Sequence, residues 1–296
     1  MSAFAEFEHA GLRILGYSLA GEETWYALPE LNVGFDLGRC PRELLSIDHV
    51  FLSHGHFDHS VGLVYYFAQR EFQDNAPGNV YVHEPLVEPV RRMLRTWAEI
   101  DGHEPPSAVH GIQPGRDVVV RRDVVVRPFE VNHARRRNDG LRPVALGFSV
   151  LDVRQKLKDE FAGLEGPQLV EIKKKGIEIT RRVEVPLVTY CGDTMPGEFL
   201  HLDCVQNARI LILECTFFEQ DHRDRARAGQ HTHVGELKPM LGLLKNERIL
   251  LTHVTRRTHM GDARRMLREA LGGTVDERVS FFMEHRKRGR RPEASA

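Results

Sequence analysis

The residues best suited to chemistry fall within one octet, Ser53-His54-Gly55-His56-Phe57-Asp58-His59-Ser60, in which four side chains of metal-binding type occupy six positions. Imidazole nitrogen and carboxylate oxygen together suit borderline divalent ions such as Zn²⁺. A lone loop histidine is more often a solvated surface residue, but His-x-His-x-Asp-His at a strand end has the spacing of a ligand set. Three further candidates are scattered along the chain, each just past an apolar run of strand type: His133 after residues 124–131, Asp193 after 188–192, and His253 after 249–252. Singly, each reads as a loop residue. As a set with the octet, they read as ligands gathered at the rim of one cleft. Two more polar stretches share this placement: Glu214-Cys215-Thr216-Phe217 closes an apolar run, and Gln230-His231-Thr232-His233-Val234 precedes a helical one.

The positioning elements can be read from periodicity. Asp48-His49-Val50-Phe51-Leu52 predicts a short buried strand, the octet a loop, and Val61 onward a helix. Residues 11–36 alternate apolar runs with turn residues and predict an antiparallel meander. Residues 118–126 predict two strands joined by a tight turn at Arg121-Arg122-Asp123, and 144–153 a further strand. The runs 187–191, 210–215 and 248–252 are continuously apolar and predict central strands. Helices are predicted over 84–99, 233–244 and 260–271, with a short one at 42–45. Two groups of strands, each followed by helices, predict an α/β fold of two packed sheets with helices outside. Neither an internal repeat nor a Pro/Gly linker is visible. Residues 1–284 therefore read as a single domain with an arm-like insertion at 154–184, followed by a basic tail, 285–296, of disordered composition.

The octet resembles the signature of the metallo-β-lactamase superfamily, and the order octet, His133, Asp193, His253 follows that superfamily's pattern. More narrowly, Gly34-Phe35-Asp36-Leu37-Gly38-Arg39-Cys40-Pro41, Gly192-Asp193-Thr194, Glu214-Cys-Thr-Phe, Gln230-His-Thr-His and His253-Val-Thr-Arg-Arg resemble ribonuclease Z, the tRNA 3′-processing endonuclease, in its short plant-type form. The resemblance implies an αβ/βα four-layer sandwich of two mixed β-sheets with helices outside. It implies two zinc ions, one held by His54, His56 and His133, the other by Asp58, His59 and His253, with Asp193 bridging. It also implies that His231 protonates the leaving 3′-oxygen and that Glu214 orients it and keeps it charged. Arg257 would contact the scissile phosphate, and Asp58 would be a ligand and also a candidate base. His233 is the alternative proton donor. A tRNA precursor as substrate and a homodimer as the assembly follow from the same likeness.

Composition bounds these readings. A chain of 296 residues buries a sizeable core. With a net charge of −1 the molecule as a whole is not a basic nucleic-acid binder, so contacts to RNA must come from local patches. Candidates are Arg135, Arg136 and Arg137 beside His133, and Lys173, Lys174, Lys175, Arg181 and Arg182 in the insertion, although a charge run is more commonly a solvated face. The insertion lacks the long Gly/Pro-rich arm of many bacterial ribonucleases Z, which keeps open a phosphodiesterase acting on a small diester such as a cyclic nucleotide. An RNA-binding scaffold with a vestigial site is disfavoured, because every metal position is filled. The N-terminus has neither a basic start nor an apolar core of signal type. The four cysteines lack a Cys-x-x-Cys pair and read as reduced thiols, which predicts a cytoplasmic protein without membrane spans.

Overall fold

The structure, a computed structural model, describes residues 4–133, 145–274 and 277–286. Among them, fourteen strands form two seven-stranded sheets. The first comprises β1 (Ala5–His9), β2 (Leu12–Leu19), β3 (Glu23–Leu28), β4 (Val33–Phe35), β5 (His49–Phe51), β6 (Asn79–His83) and β7 (Ala108–Ile112). The second comprises β8 (Val118–Arg121), β9 (Val124–Glu130), β10 (Leu146–Leu157), β11 (Thr180–Tyr190), β12 (Ile210–Glu214), β13 (Arg248–Thr252) and β14 (Val279–Phe281). The helices are α1 (Phe57–Ser60), α2 (Leu63–Phe72), α3 (Val87–Asp101), α4 (Gly166–Lys174), α5 (Asp203–Gln206), α6 (Arg223–Gly229), α7 (Leu237–Leu243) and α8 (Met260–Leu271).

The two sheets share one topology. In the first, β1 to β4 pair antiparallel and β4 to β7 parallel. In the second, β8 to β11 pair antiparallel and β11 to β14 parallel. The chain thus contains a structural repeat that its sequence does not display. The sheets meet through aromatic side chains: the Phe35 ring stacks on Phe148 at 5.9 Å and on Tyr190 at 5.3 Å between centroids, and Phe51 lies 5.4 Å from Phe148. Alternation along β12 separates the layers. Ile210 and Ile212 join this inter-sheet core, whereas Leu211 and Leu213 pack outward with Leu237 and Met240 of α7 and Leu267 of α8. Both faces of β12 are covered, which is why its sequence reads as an unbroken apolar run. The expected two-sheet sandwich with outer helices is the observed fold.

Local differences have local causes. The second half of the octet, expected as a loop, closes into the helical turn α1. The helix expected over 233–244 is split: His233 caps a 3-10 turn at Val234–Glu236 through its side chain and a capping box with Glu236, and α7 follows. Arg42–Leu44 is likewise a 3-10 turn. β10 and β11 are longer than the apolar pattern indicates, because they leave the sheet as an antiparallel ribbon paired out to Leu157 and Thr180, with α4 at its tip. The insertion is therefore an arm with regular structure. Arg135, Arg136 and Arg137, and residues 287–296 of the basic tail, lie outside the described residues. Within them, no helix is long and apolar enough to cross a membrane. All four cysteines are unpaired.

Candidate metal centre and active site

The strand ends position the site. His54 follows β5, His133 follows β9, Asp193 follows β11, Glu214 ends β12 and His253 follows β13. Left-handed backbone turns the chain inward at three of these ends: Asp36 after β4 (φ 55°), Gly192 before Asp193 (φ 62°) and His253 (φ 60°). At Gly192 a Cβ would also sit 3.1 Å from the Leu146 carbonyl oxygen, so glycine suits both the conformation and the space. Non-glycine residues at positive φ are uncommon and cluster where function requires them. Two of the seven such residues among those described are the last ligand candidate and a carboxylate that supports two others.

All seven candidate ligands come together. His54, His56, His133 and Asp193 form one group of mutually close donor atoms, and Asp58, His59 and His253 a second. Asp193 Oδ2 lies between the groups, 3.3 Å from the Nε2 atoms of His59 and His253, 3.7 Å from that of His54 and 3.8 Å from that of His133. Asp58 Oδ2, held by the Gly21 N–H at 2.9 Å, stands 3.5 Å from His253 Nε2.

The supporting hydrogen bonds select tautomers. Buried Asp36 accepts from His59 Nδ1 (2.8 Å), Tyr190 OH (2.6 Å) and Ser53 Oγ (2.8 Å). Having donated its proton to Asp36, the Ser53 hydroxyl can only accept from His54 Nδ1–H, 3.0 Å away. On the other side, Thr216 Oγ1 donates to Glu214 Oε2 (2.7 Å) and accepts from His253 Nδ1–H (3.1 Å). His133 Nδ1–H donates to the Gln230 carbonyl (3.1 Å). In its neutral form, each of these four rings therefore keeps its proton on Nδ1 and offers a bare Nε2 to the cleft. The His54 Nε2 is buried with no hydrogen-bond partner. His59 and His253 point Nε2 at Nε2 across 3.4 Å, and His56 Nδ1 faces His133 Nε2 across 3.2 Å. Lone pairs so opposed are stabilised by a cation between them, so these residues fit divalent metal.

Electrostatics agree. Burial, reinforced by neighbouring imidazoles, pushes the His54 ring well below its ordinary range, and burial also lowers His56 and His133, favouring the neutral form that binds metal. Burial opposes charge on His59 too, but the Asp193 and Asp36 carboxylates on either side outweigh it and draw positive charge to that ring. Asp193 would be raised by its burial, yet His253 and His59 hold it well below the usual carboxylate range.

Of the seven candidate ligands, His56, Asp58, Asp193 and His253 line a cavity of about 800 Å³. On its wall, His231 Nδ1–H donates to Glu214 Oε1 at 2.7 Å. Burial works against a proton on His231, but the Glu214 charge prevails and lifts it to about 9. An atom of His231 also lies near Asp193 and His253, within ligand range. A ring that favours its proton is better placed to donate than to ligate. His233, the alternative donor, is turned away: its Nε2 meets the Glu219 carbonyl (3.0 Å) and its Nδ1 accepts from the Gly235 N–H (3.0 Å). Arg257, expected from the resemblance to contact the scissile phosphate, lines the cavity.

Several functional groups escaped the sequence reading. Asp36, Ser53 and Thr216 stood in the quoted motifs, but only distance shows them to be supports. Arg225 was not singled out. It lines the cavity from α6, resting on the His222 ring at 3.3 Å, and neither it nor Arg257 has a carboxylate partner among the described residues. Arg39 and Arg256, also on the wall, are tied to Glu22 and Glu23. The cue was a run of three arginines at alternate positions from Arg223 to Arg227.

A family model described as the Beta-lactamase superfamily domain matches residues 32–157. The chain is 31% identical over 255 residues to tRNase Z TRZ2, chloroplastic, of Arabidopsis thaliana, covering 85% of this chain and 70% of that one. It is 31% identical over 252 residues to tRNase Z TRZ1 of the same organism, covering 83% and 86%. Among solved structures, the metallo-beta-lactamase fold protein YhfI from Bacillus subtilis aligns with a TM-score of 0.56 at 14% identity, over 95% of this chain and 94% of that one, which shows the common fold. The likeness to the plant proteins is too long to stop at the first sheet, and it takes in most of both sheets whose strand ends meet at the cleft; the chain belongs to the ribonuclease Z family, metal-dependent hydrolases of the β-lactamase superfamily.

Proposed function

We propose that this protein is a dinuclear-zinc endoribonuclease that removes the 3′ trailer from tRNA precursors. One observation carries the reading beyond the superfamily: His231, held by Glu214, shares a cavity with members of both ligand groups. Hydrolysis of a lactam or thioester does not need a charged imidazole beside the metals, whereas expulsion of a ribose alkoxide gains from a proton donor. The names of the plant relatives support tRNA as the substrate.

His54, His56 and His133 would hold one ion, Asp58, His59 and His253 the second, and Asp193 would join them. The nitrogen-rich donor set favours zinc. Such a pair of ions supplies Lewis-acid charge to the phosphodiester and lowers the pKa of water. The chain's own residues do the rest. Arg257 and Arg225 draw in the phosphate as permanently charged forks. His231 gives its Nε2 proton to the departing 3′-oxygen, and Glu214 keeps the ring charged and aimed. Asp58 serves as a ligand; burial would raise its carboxyl, but His253 and His59 hold it at about 2, which makes it a weak proton acceptor. In the arm, Arg182 is paired with Asp117 (3.0 Å) and Glu184 (2.8 Å), and Arg181 with Asp159 (3.6 Å), which leaves Lys173, Lys174 and Lys175 as the better phosphate contacts. Met93, Trp97 and Ile100 are exposed at helical spacing on α3 and support a homodimer through that face. Four free thiols suit the cytoplasm.

The test is incubation of zinc-loaded protein with an end-labelled tRNA precursor carrying a 3′ trailer, alongside a cyclic nucleotide. Release of the trailer, abolished by chelation, is expected. Cleavage of the cyclic nucleotide alone would refute the assignment.

A further inference from the structure

We infer that Phe57 is the stacking surface for a nucleobase next to the scissile phosphate; the inference rests on RNA being the substrate. Phe57 lies between the proposed ligands His56 and Asp58, in a position on which coordination makes no demand. Its ring is 63% exposed, yet it lines the cavity. Among the described residues no aromatic ring packs against it. The α1 turn is held without it, by Val61 N–H to the Phe57 carbonyl (3.0 Å) and by Ser60 Oγ to the His56 carbonyl (2.8 Å).

A single exposed phenylalanine is common on protein surfaces. This one lines the cavity that also holds Arg225 and Arg257, the two cavity arginines without carboxylate partners among the described residues. Phe217 lines the same cavity, fixed edge-on to His222 at 5.9 Å and to His231 at 6.0 Å. Cations for phosphates interleaved with aromatic faces for bases are the chemistry that grips single-stranded nucleic acid. A cleavage site in RNA must be unstacked to be reached, and an open aromatic face stabilises the base so exposed.

The competing occupant is protein, because Phe57, Val61 and Tyr65 recur at intervals of four and are all half exposed or more. The experiment separates the two. Binding of a labelled tRNA precursor in EDTA, where no cleavage runs, is followed by fluorescence anisotropy for the unaltered protein, Phe57→Leu and Phe57→Trp. The RNA carries either normal nucleotides or an abasic residue on one side of the scissile bond. Phe57→Leu should weaken binding roughly 5- to 150-fold, Phe57→Trp should restore it, and one of the two abasic RNAs should erase the difference between variants. Equal binding by Phe57→Leu overturns the inference, as does a difference that persists with both abasic RNAs or a change in sedimenting mass. Failure of the zinc-loaded protein to cut the precursor counts against the substrate reading instead and leaves the binding comparison intact.

Discussion

Replacing Glu214 by glutamine perturbs more than the imidazole it faces. The carboxylate is 1% exposed and accepts four hydrogen bonds, from Thr194 N–H (2.8 Å) and His231 Nδ1 (2.7 Å) at Oε1 and from Thr216 Oγ1 (2.7 Å) and Thr232 N–H (3.3 Å) at Oε2. An amide keeps the two Oε1 bonds if its carbonyl takes that side. Its NH₂ then faces the other two donors. The Thr216 hydroxyl can rotate to accept, but the Thr232 N–H cannot, and one unmet buried N–H costs about 1–3 kcal/mol. The charge is lost as well. His231 rises from 6.5 to about 9 because of Glu214, a preference for the charged ring of ~3 kcal/mol at most. A raised pKa of this kind stabilises the fold fully below pH 6.5 and ceases to do so as pH rises through about 9. In metal-stripped protein, the stability gap between the parent and Glu214→Gln, from urea unfolding, should therefore be widest near pH 6 and narrow to about 1–3 kcal/mol above pH 9. A third effect follows from Thr216. Once it accepts from the amide, its proton points at His253 Nδ1 and favours the tautomer protonated on Nε2, the nitrogen that should bind metal. Zinc affinity, measured by competition with a chelator, should fall roughly 10- to 100-fold, as for other supports of metal ligands. A pH-independent stability gap together with unchanged zinc affinity would refute the reasoning.

Other outcomes are expected from the same geometry. His231→Ala should keep the metals and the fold yet cut turnover on a tRNA precursor by about 10²–10⁴-fold, with much less effect on a nitrophenyl phosphodiester whose leaving group needs no proton; equal slowing of both, or a selective defect in His233→Ala, overturns the donor assignment. Replacing the arm between β10 and β11 by a tight turn should weaken precursor cleavage, by a margin that narrows as salt rises because the arm's charge contacts are themselves screened, and spare the nitrophenyl ester; equal loss on both would make the arm structural. Metal analysis after zinc reconstitution should find two ions per chain, and a plateau at one would remove Asp193 as a bridge.

What the sequence disclosed, and what it hid, follows from the range of each interaction. The octet, the β12 run and the tight turn between β8 and β9 are set by neighbours in sequence, so periodicity and turn chemistry found them. The convergence of His133, Asp193 and His253 was inferred from their shared placement after strands, which works because parallel strands bring their ends to one edge. Asp36 lies 23 positions from His59 and 154 from Tyr190, and no local pattern encodes those hydrogen bonds. The ribbon of β10 and β11 was underestimated because its outer half is solvated on both faces and lacks the alternation that marks a strand packed on one side. The repeat of the two sheets escaped notice because it resides in pairing order, which different side chains can support equally well.

That repeat bears on how one site yields two kinds of imidazole. Each sheet contributes a buried carboxylate that supports one ring directly and a second through a hydroxyl: Asp36 holds His59 and, through Ser53, His54; Glu214 holds His231 and, through Thr216, His253. Both directly held rings are drawn toward positive charge. What differs is the other side of each ring. His59 is fully buried, and its Nε2 faces Asp193 at 3.3 Å and His253 at 3.4 Å, so positive charge is best supplied there by a cation shared among several donors. His231 retains 15% side-chain exposure on the cavity wall, where a substrate oxygen can approach, so its charge is best carried as a proton that can be given away. On the proposed reading, the same carboxylate–imidazole pair would make a ligand where the ring is enclosed by donors and a proton donor where it opens to the cavity.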